Sequence, residues 1–269
     1  MSNFVVVPNK REDIEKILNK DIKSLIIGVT SLSIYPLELD IEDIINIAEN
    51  TDKEIIIAMN KMIHNKDLEI VREVLNKVKT SNIKKILFYD LGILNICKEM
   101  DIDKELILSQ EHLNASSSSN TFYYNKGIAS SFITSDITKD EVLEINSNTK
   151  MNIYYTVYGY LPIFYSRRYL LTNYFKYIDK DMNDDTYYIF NNDMKYMIKE
   201  YSYGSIIYSP IVNLINEIEE IKDIDNLVID LSYIEDIDVI DKFINNEKEE
   251  NTYTGFFNKK TIYKLKEDK

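Results

Sequence analysis

The chain is poor in the residues that most often carry chemistry. Its 269 residues include one cysteine, two histidines, no tryptophan, six glycines and four prolines. A single thiol, Cys97, excludes an internal disulfide, a cysteine-rich zinc site and a four-thiolate cluster held by this chain alone. Cys97 falls in the helix-like pattern LGILNICKEM, which reads as a buried structural thiol rather than a nucleophile. No apolar run approaches the roughly 18 residues that a membrane-spanning helix needs. The start, MSNFVVVPNKRED, lacks the long apolar stretch of a signal peptide. The chain is therefore read as soluble and cytoplasmic, with no membrane partner. A G-x-S-x-G elbow, a P-loop, a dinucleotide-binding glycine fingerprint and an H-E-x-x-H helix are all missing. Two histidines among scattered acids give no metal-ligand spacing, so no cofactor and no metal site is expected.

What the chain has in abundance is acid and apolar bulk. Forty-five acidic against 32 basic residues give a net charge of −13. Such a surface repels phosphate backbones and argues against direct nucleic-acid binding, unless a local basic patch exists. Hydrophobic residues make up 45%, enough for one large core, and 29% charge argues against global disorder. Heavy use of Ile, Lys, Asn and Tyr, with 21 tyrosines, fits an AT-rich coding bias.

Short, continuously apolar, β-branched runs alternate with helical periodicities. FVVV, SLIIGV, EIIIAMN, KKILFYD, ELILSQ, ASSFIT and MNIYYTVYG read as seven strands, and NLVIDLS as an eighth. Helical patterns lie between them, one opened by a capping box of Thr138 and Glu141 and another closed by Gly127. Seven such units by residue 157 predict an α/β fold, a (β/α)8 TIM-type barrel, rather than a doubly wound sheet. The pattern breaks at DTYYIFNNDMKYMIKEYSYGSIIYS, which reads as a β-hairpin insertion near residues 185–208. SPIVNLINEIEEI reads as a helix with Pro210 in its first turn. The expected organisation is a single barrel domain over 1–269, an insertion at 180–208 and a C-terminal strand or clamp at 252–269.

In such a barrel the chemistry lies at the C-terminal ends of the strands. The polar residues there are Asn60 and His64, Asp90, Gln110 and His112, Asp136, Tyr158 and Asp230. Asn60, His64, Asp90 and His112 can converge on a small polar ligand. Each also has a plain structural reading: capping explains Asp90 and Asp136, and His64 and His112 suit a cap or the surface as well as a site. The serine-rich NASSSSN, residues 114–120, reads as a capped loop before a helix, with phosphate binding as the alternative.

One stretch, YGYLPIFYSRRYLL at residues 158–171, places two arginines in an apolar segment. Residues 165–177 read as a helix with Arg167 and Arg168 in its first turn. Cations there oppose the helix dipole and call for an anionic partner or an external face, with a buried structural ion pair and anion or substrate binding as the two readings. VYGYLPIFYSRRYLL resembles the signature of the collagenase-like peptidase family U32, with Gly159, Pro162, Ser166, Arg168 and Leu170 at the matching positions. AMNKMIHNKDLE, ILFYDLGIL, FITSDITKDEVLEI and TGFFNKKTIYKLK resemble further family segments in the same order.

The resemblance implies a barrel and a named peptidase activity. It also implies kinship to oxygen-independent hydroxylation factors that act on tRNA, ribosomal RNA or a quinone precursor through a four-cysteine iron–sulfur cluster. Pro162 and Tyr169 stand at the signature's cysteine positions, and Ser135–Asp136 where the family carries arginine–glutamate. Proline and tyrosine cannot replace thiolates, so no iron–sulfur cluster is expected. Three functions follow. The first is a cluster-free barrel that binds a small anionic ligand, or pairs with a cysteine-bearing homologue in RNA or cofactor hydroxylation. The second is a peptidase or hydrolase of the collagenase-like type. The third is a non-catalytic interaction module. Within the first two, His64, His112 and Arg168 are the catalytic candidates, and Asn60, Asp90, Tyr158 and Arg167 the substrate-binding ones.

Overall fold

The computed structural model describes residues 3–110, 114–192 and 194–260. Eight parallel strands close into a barrel. They are β1 (Phe4–Val7), β2 (Ser24–Val29), β4 (Glu54–Met59), β5 (Lys85–Phe88), β6 (Glu105–Leu108), β7 (Ser130–Phe132), the first half of β8 (Asn152–Ser166) and β12 (Asn226–Asp230). Closure comes from β12, which pairs in parallel with both β1 and β8. A two-residue strand, β3 (Glu38–Leu39), lies against the end of β2.

The helices pack outside: α1 (Ile14–Leu18), α2 (Ile41–Glu49), α3 (Leu68–Thr80), α4 (Leu91–Glu99), α5 (Ser117–Tyr124), α6 (Lys139–Ser147), α8 (Ile218–Ile221) and α9 (Val239–Ile244). Their apolar stripes, such as Val71, Val74, Leu75 and Val78 of α3, bury against the outward-facing strand residues. Thr138 and Glu141 form the capping box of α6, and Ser116 caps α5 by accepting the Ser119 amide. Cys97 is buried on α4, where desolvation pushes its thiol up to about 11.

Strand alternation sorts the inward side chains along the barrel axis. A middle band, including Val5, Ile26, Ile56, Leu87, Phe132 and Tyr154, is apolar and fully buried. Beneath it, the N-terminal ends of the strands form a charged stopper: Lys85 bridges Glu54 at 3.1 Å and Glu105 at 3.5 Å, and Lys23 donates to Asn226 at 2.7 Å. Above it the inward residues are small or polar (Gly28, Ala58, Ser109, Thr134, Thr156), and they leave a hollow under the mouth.

Two expectations fail here. The segment carrying Arg167 and Arg168 does not begin a helix, because β8 runs on for 15 residues to Ser166 and α7 (Leu170–Tyr177) starts beyond both arginines. The second half of β8 leaves the barrel and joins an antiparallel extension with β11 (Gly204–Asn213), β10 (Met194–Tyr201) and β9 (Thr186–Asn191). Cross-strand pairing satisfies its backbone and overrides the helical spacing of its apolar residues. Pro210 likewise lies within β11 and not in a helix. It falls where the β11–β8 register slips between Tyr208 and Ile211, a bulge where a missing N–H costs little. Residues 255–258 form a turn, with Phe257 buried against Tyr155.

Candidate functional site at the barrel mouth

The extension folds over the C-terminal end of the barrel. Below it lies a narrow pocket with about 30 Å³ of room for water, enough for a couple of solvent molecules. Phe132 and Val228 make the floor; Asn60, Thr156 and Asp230 line the wall; Tyr208 and Tyr233 close the side. A second hollow shares Ile34, Asn60 and Pro162 with it and adds Tyr89, Ser109 and Tyr165.

Local sequence explains this arrangement. Gly159 takes φ +131° where β8 bends out of the barrel, beside a slip in the β12–β8 register. That bend carries Tyr160 and Pro162 across the mouth. Asn60 follows β4 and is buried, its Oδ1 accepting from the Ser33 hydroxyl at 2.8 Å and the Ile34 amide at 3.1 Å. It thereby fixes the loop that forms one rim. Asp230 ends β12, with Oδ1 accepting the Ser232 amide at 2.8 Å. Burial pushes its carboxyl up to about 6, against the smaller opposing effect of hydrogen bonds from Ser232.

A cluster of tyrosines covers the pocket. The Tyr201 hydroxyl meets that of Tyr208 at 2.7 Å and also that of Tyr233. The Tyr201 and Tyr203 rings stack with centres 4.9 Å apart. Desolvation raises all four hydroxyls, that of Tyr233 to about 12, so they stay protonated and act as hydrogen-bond donors and acceptors. Cations approach from the rim: Lys61 Nζ lies 5.2 Å from the Tyr203 ring centre, and Lys199 lies 5.7 Å from the centres of Tyr201 and Tyr233.

The site residues read from sequence are only partly gathered here. Asn60 lines the pocket. His64 opens the 3-10 turn at Asn65–Asp67, its amide donating to Asp67 Oδ2 at 3.0 Å in a reciprocal cap, and it is not on the pocket wall. Asp90 caps α4 by accepting the Gly92 amide at 2.7 Å. Tyr158 faces outward and packs edge-on against Phe243 of α9. Arg167 and Arg168 are exposed in the turn after β8. His112 lies outside the described residues, as do residues 261–269 of the expected clamp. The tyrosine cluster was missed. Tyrosines are so frequent in this chain that position alone did not single out Tyr201, Tyr208 and Tyr233; Asp230 was visible as the polar end of the eighth strand.

Among the described residues no group of three or more His, Cys, Asp or Glu could hold a metal ion, and no helix is long and apolar enough to cross a membrane. The chain is 26% identical over 245 residues to "tRNA hydroxylation protein P2" of Bacillus subtilis (strain 168), covering 84% of this chain and 78% of that protein. A solved structure described as "The Structure of the U32 Peptidase Mk0906" aligns at 12% identity with a TM-score of 0.49, over 60% of this chain and 70% of its own. The family model described as peptidase family U32 matches residues 37–235, taking in the strands from β3 to β12 and the whole extension. With that match spanning most of its length, the chain belongs to peptidase family U32.

Proposed function

We propose that this chain is a cluster-free member of its family that supports tRNA hydroxylation, holding a small ligand at the barrel mouth while a cysteine-bearing homologue supplies the redox centre. The observation that carries the reading is the likeness to a tRNA hydroxylation protein over 84% of the chain, in a sequence with one buried cysteine. The site agrees with binding more than with nucleophilic attack. Its polar groups are amide, hydroxyl and carboxyl, and His64 is engaged in a cap. The test is to delete the gene in the native host and quantify hydroxylated tRNA nucleosides by mass spectrometry, with a tagged copy purified anaerobically. Loss of the modification and recovery of a cysteine-bearing homologue at fixed stoichiometry are expected. Unchanged tRNA would sink the reading.

The family description favours a second reading, hydrolysis. Its specific support is Asp230, a carboxyl raised to about 6 at the edge of a water-sized pocket. Such a group can serve as a general base toward water near neutral pH. A peptide would have to lie across the mouth, because the pocket itself admits only small groups. Peptide hydrolysis by the purified chain that disappears in Asp230→Asn would establish this reading in place of the first.

A further inference from the structure

We propose that the pocket at the barrel mouth is a site for a small primary ammonium group, held by the Asp230 carboxylate inside a box of aromatic rings. This names the chemical class of the small ligand in the reading above. Only the ligand's part in tRNA hydroxylation rests on that reading; the site itself rests on its lining.

Among the described residues that line the pocket, Asp230 alone is charged. Its Oδ1 accepts the Ser232 amide at 2.8 Å. What acts on its carboxyl is its own burial and Ser232, with no cation among the causes. The lysines at the rim are held elsewhere: Lys61 donates to the Ser31 carbonyl at 3.1 Å, and Lys199 to Asp185 at 2.6 Å. A desolvated carboxylate without a positive partner is costly, and a bound cation offsets that cost. The net charge of −13 favours the approach of cations over anions.

The rest of the lining suits an ammonium carried on carbon. Tyr35, Phe132, Tyr160, Tyr208 and Tyr233 supply rings. The Tyr208 ring meets that of Tyr160 at 71° and that of Tyr233 at 65°, with centres 6.5 Å and 5.7 Å apart, so neighbouring rings form corners. Ring faces attract organic cations, most strongly out of water. Polar groups are also left over for a ligand. The Ser232 hydroxyl is buried with no aligned hydrogen-bond partner, and an ammonium N–H supplies one. Asn60 is 4% exposed and spends its Oδ1 on Ser33 and Ile34, while its Nδ2 has no partner among the described residues. That amide, shared with the second hollow, is free to donate to an oxygen carried behind the ammonium. Room of about 30 Å³ admits about two heavy atoms, the size of an aminomethyl group, and excludes a hydrated ion.

The test is an NMR titration of the full chain, its tyrosine rings isotope-labelled, with methylammonium chloride, potassium chloride and sodium acetate at equal ionic strength. Saturable shifts of the Tyr160, Tyr208 and Tyr233 resonances are expected with methylammonium alone. Asp230→Asn keeps the shape of the side chain and should bind at least about tenfold more weakly, with unchanged circular dichroism. Tyr233→Leu removes one ring and should weaken binding severalfold. No saturable shift, equal shifts with potassium, a preference for acetate, or wild-type affinity in both variants overturns the proposal. Nα-acetyl-lysine methylamide separates the sources of the ammonium. Tighter binding than methylammonium assigns it to a lysine of a protein partner, and weaker binding to a free small amine; either upholds the site. The two readings fail separately. Methylammonium binding with normal tRNA hydroxylation in a strain carrying Asp230→Asn leaves the ammonium site and removes it from the tRNA role. No methylammonium binding by a chain whose deletion abolishes the modification removes the ammonium site and leaves the tRNA role.

Discussion

Gly159 passes so close to Asp230 that a Cβ at position 159 would lie 2.4 Å from the Asp230 carbonyl oxygen. The positive φ there is also one that side-chain-bearing residues rarely adopt. Gly159→Ala should cost about 3 kcal/mol or more, from strain and displacement together. A lower urea midpoint checks it, and a variant as stable as wild type would mean that the bend does not need glycine.

Asp230 should make stability depend on pH. Its carboxyl is raised to about 6 in the fold, against about 3.9 when unfolded. The folded state therefore binds the proton more tightly. The stabilisation is complete below about pH 4 and is lost as pH rises through about 6. With partial access to solvent through the pocket, the change is about 2 kcal/mol. Urea titrations at pH 4.5, 5.5 and 7 should show the decline in wild type and a flatter profile in Asp230→Asn.

Glu200 holds the start of α7. Its Oε2 accepts the Leu171 amide at 2.8 Å and the Thr172 amide at 3.2 Å, and the Thr172 hydroxyl bonds the same carboxylate. A buried carboxylate at a helix N-terminus satisfies orphan donors and complements the dipole. Glu200→Ala should cost about 2 kcal/mol and speed hydrogen exchange at Leu171 and Thr172, with Glu200→Gln intermediate. Protection unchanged in Glu200→Ala would show that packing alone holds the helix.

Cys97 should be inert. Buried on α4 with its thiol raised to about 11, it forms almost no thiolate at neutral pH. Thiol titration should be negligible for the native chain and give one equivalent in urea. Rapid native reaction would mean that α4 opens locally.

The barrel was legible because its strands are short apolar runs spaced by helical periods, and burial on both faces imposes that pattern directly. The caps at Thr138 and Asp90 were legible for a similar reason: both act within three residues. What escaped was set by long-range pairing. Residues 165–169 have a helical spacing, yet β11, forty residues on, holds Tyr165 and Ser166 in a strand. Pro210 signalled a helix start, but a bulge accommodates it. At the site, Asn60 and Asp230 were visible as polar strand ends, while the role of His64 depended on Asp67 turning back to it. Tyr201, Tyr208 and Tyr233 meet only once the sheet extension folds over the mouth.

The charged stopper of Lys85, Glu54 and Glu105 makes the barrel a vessel with one opening. Any small molecule in the hollow beside Asp230 would have to enter and leave by the same door, and the tyrosine-covered extension stands over that door. Under the proposed function, a macromolecule seated on the rim would close that door, so a small ligand would have to enter before it and leave after it.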